Sequence, residues 1–337
     1  MTRMENESKP PQSFDLTPKV FETALKVIEP HIRHTPLLPL PRTISDMPGL
    51  MRFKLENLQV GGSFKARGVF NHLLRLTPEQ RRLGVITASG GNHGIALACA
   101  ANSLNLPATV YLPTKASEDK FTRIASLGAK VFKHGTDWDD ANAKALEHAE
   151  AEGLYYVHPF DSERTIAGQA TLGLELLEDA PDLDCVLIAI GGGGLISGVA
   201  AAIKQRKPRA YIIGVEPAGA ASMFRSWQAG LVTELSEVRT IADTLAPRCV
   251  CERTLSLTRK YVDDIILVED EAIVEGMRWL WRECNQLVEP AGAAVVAAVM
   301  QNREIVADFE NPVAVICGGN ATVESVFVAY NRNTKRG

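Results

Sequence analysis

Runs of hydrophobic residues alternate with stretches of mixed polarity along most of this chain of 337 residues. The hydrophobic runs are short and continuous, without the alternation of a strand that faces water, so they predict strands buried on both faces. Between them, apolar residues recur at helical spacing. This order predicts an α/β fold with mostly parallel sheets covered by helices. The predicted strands are Gly84–Ala88, Ala108–Leu112, Ala129–Phe132, Cys185–Ile190, Ala210–Val215 and Val313–Cys317.

Two of the predicted helices have a recognisable beginning. Thr17-Pro18 and Thr77-Pro78 each place a favoured capping residue before a proline at the first helical position. An apolar stripe runs from Val20 to Ile28 after the first of these, and an alanine-rich helix is predicted over Gly94–Asn102. We found no internal repeat and no low-complexity linker. A chain of this length is expected to form two domains, which must then be joined by a chain crossover.

Composition and charge exclude several classes of protein. A net charge of -4 offers no electrostatic basis for binding nucleic acid or a membrane surface. The most hydrophobic window, Ala291–Met300, is too short to span a bilayer, and Met1–Asp15 is too polar for a signal peptide. The six cysteines are scattered without a zinc-ligand spacing. We therefore expect a cytoplasmic enzyme with reduced thiols.

The segment at residues 61–68 reads Gly-Gly-Ser-Phe-Lys-Ala-Arg-Gly and places Lys65 at the start of a helical run. Burial lowers the pKa of a lysine, which is what an amine needs to act as a nucleophile near neutral pH. Taken alone, Lys65 is more simply explained as an ordinary surface lysine. The glycine-rich turns elsewhere in the chain favour the first interpretation.

Three of these turns follow predicted strands directly, at Ser89–Gly94, Gly191–Ser197 and Cys317–Asn320. Ligands of open parallel sheets bind beyond the carboxyl ends of the strands, so all three turns are expected near one site.

The four glycines at 191–194 are the most specific feature of these turns. Successive N–H groups followed by a helix can bind an anion, although a merely flexible loop is the alternative. The third glycine of a dinucleotide motif and the Gly-Lys pair of a Walker loop are both missing, which indicates a small monophosphate. An activated lysine together with a monophosphate site points to pyridoxal phosphate.

At this point the chain resembles the tryptophan-synthase-β-like (fold type II) pyridoxal-phosphate enzymes, in the branch of serine/threonine dehydratases and serine racemases. The resemblance covers essentially the whole chain. It implies two three-layer α/β domains with the cofactor in the cleft between them: a large domain of residues 1–60 and 157–337, and a small mobile domain of residues 61–156. It also implies a homodimer. The matching segments are Glu56–Gln59, Gly62–Gly68, Ser89–Gly94, His158–Asp161, Ala167–Gln169, Gly191–Gly194, Val215–Pro217, Ile241–Asp243, Glu289-Pro290 and Cys317–Asn320.

The resemblance implies a role for each matching residue. Lys65 would hold the cofactor covalently and act as the base at the substrate Cα, with Phe64 beside the ring. Asn92 would hydrogen-bond the 3-oxygen of the cofactor, and Cys317 would face the pyridine nitrogen. The phosphate would be bound by backbone amides of Gly191, Gly192, Gly193, Gly194 and Leu195. The substrate carboxylate would be received by Ser89, Gly90, Gly91, Asn92 and His93.

Two of the matching residues also have a purely structural explanation. A neutral thiol at Cys317 would make the ring a weaker electron sink than an aspartate would, which favours loss of a β-leaving group over transamination. By residue type alone, Cys317 could instead pack as a small hydrophobe. Glu289 resembles a pocket residue of the family, but it could equally cap the helix that follows it.

Two departures from the family pattern bear on function. The racemases that this chain resembles have a serine at Gly90, which would deliver a proton to the face opposite Lys65. The cation site of relatives would comprise Glu216, a carbonyl near Ala220 and an acid that falls on Ser222. Because Ser222 cannot replace the acid, the sequence argues against a divalent or monovalent cation and leaves metal binding unassigned.

The resemblance thus implies a dehydratase (ammonia-lyase) that converts a small 3-hydroxy amino acid, L-serine or L-threonine, into a 2-oxo acid and ammonia. The alternatives are a dehydratase for 3-hydroxyaspartate or a phenylserine, an amino-acid racemase, and a relative that binds the cofactor only for regulation. The chain ends soon after the Cys317 strand, so no isoleucine-binding regulatory extension is expected.

Overall fold

The computed structural model describes residues 16–40, 47 and 51–321. The strands are β1 Leu37–Pro39, β2 Arg52–Lys54, β3 Val85–Ala88, β4 Ala108–Leu112, β5 Lys130–Lys133, β6 Tyr155–Tyr156, β7 Cys185–Ala189, β8 Tyr211–Pro217, β9 Asp264–Val268 and β10 Pro312–Val315. The helices are α1 Pro18–Ile28, α2 Lys65–Leu73, α3 Pro78–Leu83, α4 Asn92–Ser103, α5 Glu118–Ser126, α6 Trp138–Glu152, α7 Glu163–Asp179, α8 Gly194–Arg206, α9 Ser222–Ala229, α10 Glu252–Tyr261, α11 Asp270–Cys284 and α12 Pro290–Gln301.

These strands form two sheets. The larger has the order β1-β2-β10-β7-β8-β9 and is parallel except for β1, which runs antiparallel to β2. The smaller has the order β5-β4-β3-β6 and is parallel throughout. The α/β fold with mostly parallel sheets that the sequence predicted is therefore confirmed. All strands of the small sheet lie within residues 85–156, inside the predicted small domain, whose limits remain a prediction.

Burial on both faces explains the continuous apolar runs of β3, β4 and β7, whereas the edge strand β5 is partly exposed, contrary to the expectation. Every residue of β7 is buried, and α8 and α12 both contact this strand. In the small sheet, α4 and α6 both pack on β3 and β4. The face of α6 that meets this sheet is lined by buried alanines, which allow the helix to approach closely. The sequence did not predict β1, β2, β6 and β9, of which the first three have only two or three residues.

The two predicted helix starts are confirmed, but they are built differently. Thr77 forms a capping box with Gln80, in which each side chain bonds the backbone N–H of the other residue. Thr17 precedes α1, but its side chain makes no capping hydrogen bond. The start of α1 therefore depends on Pro18 and on burial of the apolar stripe.

Glycines allow the helix that carries Lys65 to approach the large-sheet half closely. A Cβ on Gly168 of α7 would lie 2.5 Å from the Cα of Gly68 in α2. A Cβ on Gly198 of α8 would lie 2.5 Å from the carbonyl oxygen of Ile166 in α7. Larger residues at these positions would separate the three helices and displace α2.

Buried ion pairs also hold α2 in place. Arg67, which is fully buried, donates hydrogen bonds to Glu56 at 2.7 Å and to Glu175 at 2.8 Å. Lys54 Nζ lies 2.6 Å from both Glu175 and Asp179. Removing one partner of such a network leaves an uncompensated charge and typically costs about 3–5 kcal/mol. The network connects the start of α2 to β2 and α7.

None of the helices in the described ranges combines the length and the apolar character needed to cross a lipid bilayer. The polar segment Met1–Asp15 lies outside the described residues.

Candidate active site

A cleft lies at the carboxyl ends of the parallel strands, where residues from both halves of the molecule meet. Its empty volume is about 440 Å³, part of which is open to solvent. The residues that line it come from the starts of α2, α4, α8 and α12, from the end of β7, from the segments that follow β6, β7 and β10, and from the 3-10 helix Asp243–Leu245. They are Phe64, Lys65, Asn92, Phe160, Ala189, Gly191, Gly192, Gly193, Gly194, Leu195, Thr244, Leu245, Ala291 and Cys317.

Lys65 is the titratable amine of this cleft. It is the first residue of α2, and its Nζ donates a hydrogen bond to the carbonyl of Pro159 at 2.8 Å. The same atom lies 5.1 Å from the centre of the Phe64 ring. Burial lowers the pKa of Lys65 to about 8, although Cys317 and Glu289 both act to raise it. A substantial fraction of the amine is therefore neutral near physiological pH.

The glycine turn after β7 forms one wall of the cleft. Gly193 has a φ of +85° and immediately precedes α8, whose first N–H groups have no partner inside the helix. A Cβ on Gly192 would lie 2.3 Å from the ring of Phe160, and one on Gly193 would lie 2.8 Å from Thr254 Cβ. The turn thus presents bare backbone at the positive end of a helix, which is suited to an anion.

The segment after β10 meets the residues that lead into α2. The N–H of Phe64 donates to the carbonyl of Cys317 at 3.1 Å, and Ser63 pairs with Gly318. The thiol of Cys317 donates to the carbonyl of Ala291 at 3.3 Å. Burial raises the pKa of this thiol, so Cys317 presents a neutral group to the cleft.

Asn92 is the first residue of α4, and it is buried against two other polar side chains. Its Nδ2 donates to Glu289, and its Oδ1 accepts from Asn320 at 2.6 Å. Glu289 precedes α12, but its side chain makes no capping bond there. Burial raises the pKa of Glu289 to about 7, against the lowering effect of the bond from Asn92. Of the two roles considered for Glu289, the structure shows the contact with the cleft residue Asn92 and not the helix cap.

The other predicted substrate-binding residues lie beside the cleft. A Cβ on Gly90 would point at Leu112 of β4, 2.9 Å from its Cδ2. The N–H of Gly91 donates to the hydroxyl of Ser89 at 3.3 Å. His93 points away from the cleft, with its Nε2 at 2.9 Å from the carbonyl of Val157. Burial, followed by the charge of Lys65, keeps the pKa of His93 well below its usual value.

Sequence reasoning did not assign several residues of the cleft, among them Phe160, Thr244, Leu245 and Ala291. Phe160 and Ala291 lie in or beside matching segments, and Thr244 directly follows the segment Ile241–Asp243. Their position in or next to matching segments could therefore have identified these residues as part of the cleft. Nothing in the residue types alone shows which way their side chains point.

The residues that the resemblance implies for a cation site lie around the start of α9. Glu216 is fully buried, and its two oxygens accept the N–H groups of Met223 at 2.9 Å and Phe224 at 2.7 Å. Burial raises the pKa of Glu216 to about 8. By residue type alone Glu216 could have been a solvated carboxylate at a strand end, but the structure shows it buried and bonded to the first N–H groups of α9. Ala220 ends the short 3-10 helix between them, and the buried Ser222 hydroxyl has no hydrogen-bond partner among the described residues.

A second group of possible metal ligands comprises His34, Glu175 and Asp179. Both of its carboxylates already bind Lys54 at 2.6 Å. A cation there would have to displace an ammonium group, so this group is better explained as part of the buried ion-pair network.

The groups in the cleft fit pyridoxal phosphate. A buried amine with a lowered pKa suits an aldehyde, the bare glycine turn suits a phosphate, and a neutral thiol suits an unprotonated pyridine nitrogen. Residues 28–318 match the family described as "Pyridoxal-phosphate dependent enzyme". The chain belongs to this family, and pyridoxal phosphate is its cofactor. The resemblance on which the prediction was based is thus confirmed.

Individual proteins show which members of this family the chain is similar to. The chain is 38% identical over 303 residues to an L-threonine ammonia-lyase of Thermotoga maritima, covering 90% of this chain and 75% of that protein. Its fold is similar to that of maize serine racemase, with a TM-score of 0.88, 31% identity and coverage of 94% and 98%. It is also similar to the processed form of threonine deaminase isoform 2 of Solanum lycopersicum, with a TM-score of 0.87, 34% identity and coverage of 93% and 92%.

Proposed function

We propose that this protein is a pyridoxal-phosphate-dependent ammonia-lyase that converts L-threonine, and also L-serine, into a 2-oxo acid and ammonia. The observation that carries this proposal is the placement of Lys65 in one cleft with the glycine turn 191–194 and the neutral thiol of Cys317. The names of the threonine ammonia-lyase and threonine deaminase relatives support the same reaction. In this reaction the Cα–H and Cβ–O bonds break and the hydroxyl leaves with a proton as water. A water molecule then adds at Cα as the C–N bond breaks, which releases ammonia and leaves the 2-oxo acid.

The bound cofactor supplies an electron sink for the negative charge that develops at the substrate Cα. Lys65 Nζ would hold the cofactor through its aldehyde carbon in the resting enzyme, and as the free amine it would accept the proton from the substrate Cα. Its lowered pKa leaves the freed amine ready to act as a base near neutral pH. The carbonyl of Pro159, 2.8 Å from Nζ, orients the amine without removing its lone pair.

Other residues of the cleft would bind and orient the cofactor. The backbone N–H groups of Gly191–Leu195 hold the phosphate at the start of α8. Cys317 would offer a neutral contact to the pyridine nitrogen and so leave that nitrogen unprotonated, which favours elimination over transamination. Phe64 would lie beside the ring, and Asn92 would donate to its 3-oxygen.

The loop of residues 89–93 receives the substrate carboxylate in this proposal. Because Ser89–Gly91 lie beside the cleft and not in its wall, we infer that the small domain, residues 61–156, moves towards the large domain when substrate binds. Lys120 of α5 already reaches across to Asp243, the neighbour of the cleft residue Thr244. This ion pair is placed where closure would occur.

A racemase is the second candidate, and the similarity to maize serine racemase favours it. Racemisation needs an acid on the face of the substrate opposite Lys65, and such a positioned acid typically contributes about 10²–10⁴-fold. Gly90 offers no side chain for this purpose. We therefore expect elimination to dominate.

A substrate panel tests the proposal. Purified protein with added pyridoxal phosphate is incubated with L-threonine, L-serine, 3-hydroxyaspartate and phenylserine. The release of 2-oxo acid and the formation of D-isomer are measured in the same samples. We expect 2-oxo acid from L-threonine to form at least about a hundredfold faster than D-isomer. D-isomer formed as fast as 2-oxo acid would favour the racemase, and no product from any substrate would refute both candidates.

We further propose a cytoplasmic homodimer. All six cysteines are unpaired, as expected in a reducing compartment. Leu231 and Trp281 are large apolar side chains with 60% and 48% of their surface exposed, which is consistent with a subunit contact. Light scattering coupled to size-exclusion chromatography would distinguish a dimer from a monomer, and cell fractionation would test the location.

A further inference from the structure

A row of four polar groups joins four separate segments at the edge of the cleft. Nδ2 of Asn320 donates to the carbonyl of Gly61 at 2.9 Å and to Oδ1 of Asn92 at 2.6 Å. Nδ2 of Asn92 donates to Oε1 of Glu289. The row thus begins at Gly61, in the segment before α2, and passes through the loop after β10 and the start of α4. It ends at the residue before α12.

The chemistry of the two ends gives this row a direction. An amide side chain can present either its oxygen or its nitrogen to a neighbour, and hydrogen bonding decides between them. The carbonyl of Gly61 can only accept, so it requires Nδ2 of Asn320. The other hydrogen of that nitrogen requires Oδ1 of Asn92, which turns Nδ2 of Asn92 towards the carboxylate of Glu289. Asn92 is thereby left with one further N–H.

Two glycines leave the space that the side chains of this row occupy. A Cβ on Gly62, whose φ is +75°, would lie 2.2 Å from Oδ1 of Asn320. A Cβ on Gly318 would lie 2.2 Å from Oε1 of Glu289. Asn92 and Glu289 are only 4% and 5% exposed, so their bonds to each other do not compete with bulk water.

We infer that Glu289 and Asn320 are positioning residues that orient the Asn92 amide so that its remaining N–H is offered to an acceptor oxygen on the cofactor ring. The inference rests on the proposed site, in which Asn92 faces the cofactor from the wall of the cleft. Neither residue needs to touch the substrate. Their effect is therefore expected in cofactor binding itself.

Single variants provide the first test, with the apoprotein titrated with pyridoxal phosphate and the Kd read from protein fluorescence. Glu289→Met and Asn320→Ala each remove one partner of Asn92, and we expect each to raise the Kd about tenfold or more. Glu289→Gln keeps an acceptor oxygen and should bind nearly as wild type does. Asn57→Ala is the matched control, because it removes a partly buried amide hydrogen bond to Gln286 that involves none of the four groups of the row.

A paired variant separates orientation from stability. In Asn92→Asp with Glu289→Gln, an aspartate can accept from both Asn320 and Gln, so the row is rebuilt without the spare N–H. We expect the melting temperature of this apoprotein to return close to that of wild type, whereas the Kd stays about tenfold raised.

The outcomes are distinguishable from one another. If Glu289→Met and Asn320→Ala bind the cofactor as wild type does, or if the paired variant regains wild-type affinity, the inference is overturned. If the wild-type apoprotein takes up no cofactor, the proposed site is wrong and not merely the orientation of Asn92.

Discussion

Two glycine turns of this protein look alike in sequence and differ in what they contribute to the cleft. Each follows a buried parallel strand and leads into a helix: one joins β3 to α4, and the other joins β7 to α8. All of Gly191–Gly194 line the cleft, whereas the turn after β3 contributes only Asn92. The sequence pattern therefore indicates that the backbone lies close to another group, but it does not identify that group.

The neighbours of the two turns explain the difference. Gly192 is bare because the ring of Phe160 occupies the space where its Cβ would lie, on the wall of the cleft. Gly90 is bare because Leu112 of the small sheet occupies the corresponding space. The first turn is thus packed between the cleft and the large-sheet half. The second packs against the small sheet at Gly90, whereas a Cβ on the adjacent Gly91 would lie 2.9 Å from Thr244 of the cleft.

The contrast between the turns has meaning only if the cleft is the active site, and Lys65→Ala tests this most strongly. Loss of a positioned base is expected to lower kcat by about 10²–10⁴-fold, because no other amine lines the cleft among the described residues. The visible absorption of the bound cofactor, and its sensitivity to borohydride, should also disappear. A variant that stays yellow and active would place the chemistry elsewhere.

The pH dependence of cofactor uptake gives the next largest effect. Only the neutral amine attacks an aldehyde, and burial lowers the pKa of Lys65 to about 8. The rate of covalent capture by the apoprotein should therefore rise about tenfold per pH unit up to about 8 and then level off. Stopped-flow absorbance measures this rate. A rise that continues towards pH 10, as for a free lysine, would show that Lys65 is not desolvated.

Gly192→Val and Gly90→Val compare the two turns directly. At Gly192 the added side chain collides with Phe160 on the cleft wall, so we expect the Kd of pyridoxal phosphate to rise about tenfold, with some loss of melting temperature. At Gly90 it collides with Leu112, which should cost about 1–3 kcal/mol of stability and leave the Kd unchanged. Fluorescence titration and thermal unfolding on the same samples give both quantities. Equal effects on the Kd would mean that Gly90 approaches the cofactor as closely as Gly192 does.

The smallest effect is expected at the Lys120–Asp243 ion pair, which links the small-sheet half to the neighbour of Thr244. The pair is largely exposed, so Lys120→Ala should change the free energy of substrate binding by less than about 1 kcal/mol. The change in KM should vanish at about 1 M salt, where the Debye length falls to roughly 3 Å. Lys144→Ala, which breaks an exposed pair inside α6, is the control. A salt-independent effect at Lys120 would indicate a direct contact with substrate.

The sequence by itself determined the class of fold and the chemical type of the site. Strands buried on both faces need continuous apolar residues, so runs such as Cys185–Ile190 and Ala108–Leu112 were visible without coordinates. Backbone that must approach a phosphate needs glycine, and a nucleophilic amine needs lysine, so residues 191–194 and Lys65 were visible for the same reason. These are local requirements that each act on a few adjacent residues.

Only the tertiary structure decided what those residues face. It turned Glu289 away from its own helix towards Asn92, almost two hundred positions earlier, and it turned Glu216 into the buried cap of α9. It also placed Phe160 against Gly192, and Leu112 against Gly90. Such contacts depend on how helices and loops from distant parts of the chain pack around two sheets, and no periodicity in a single segment records them.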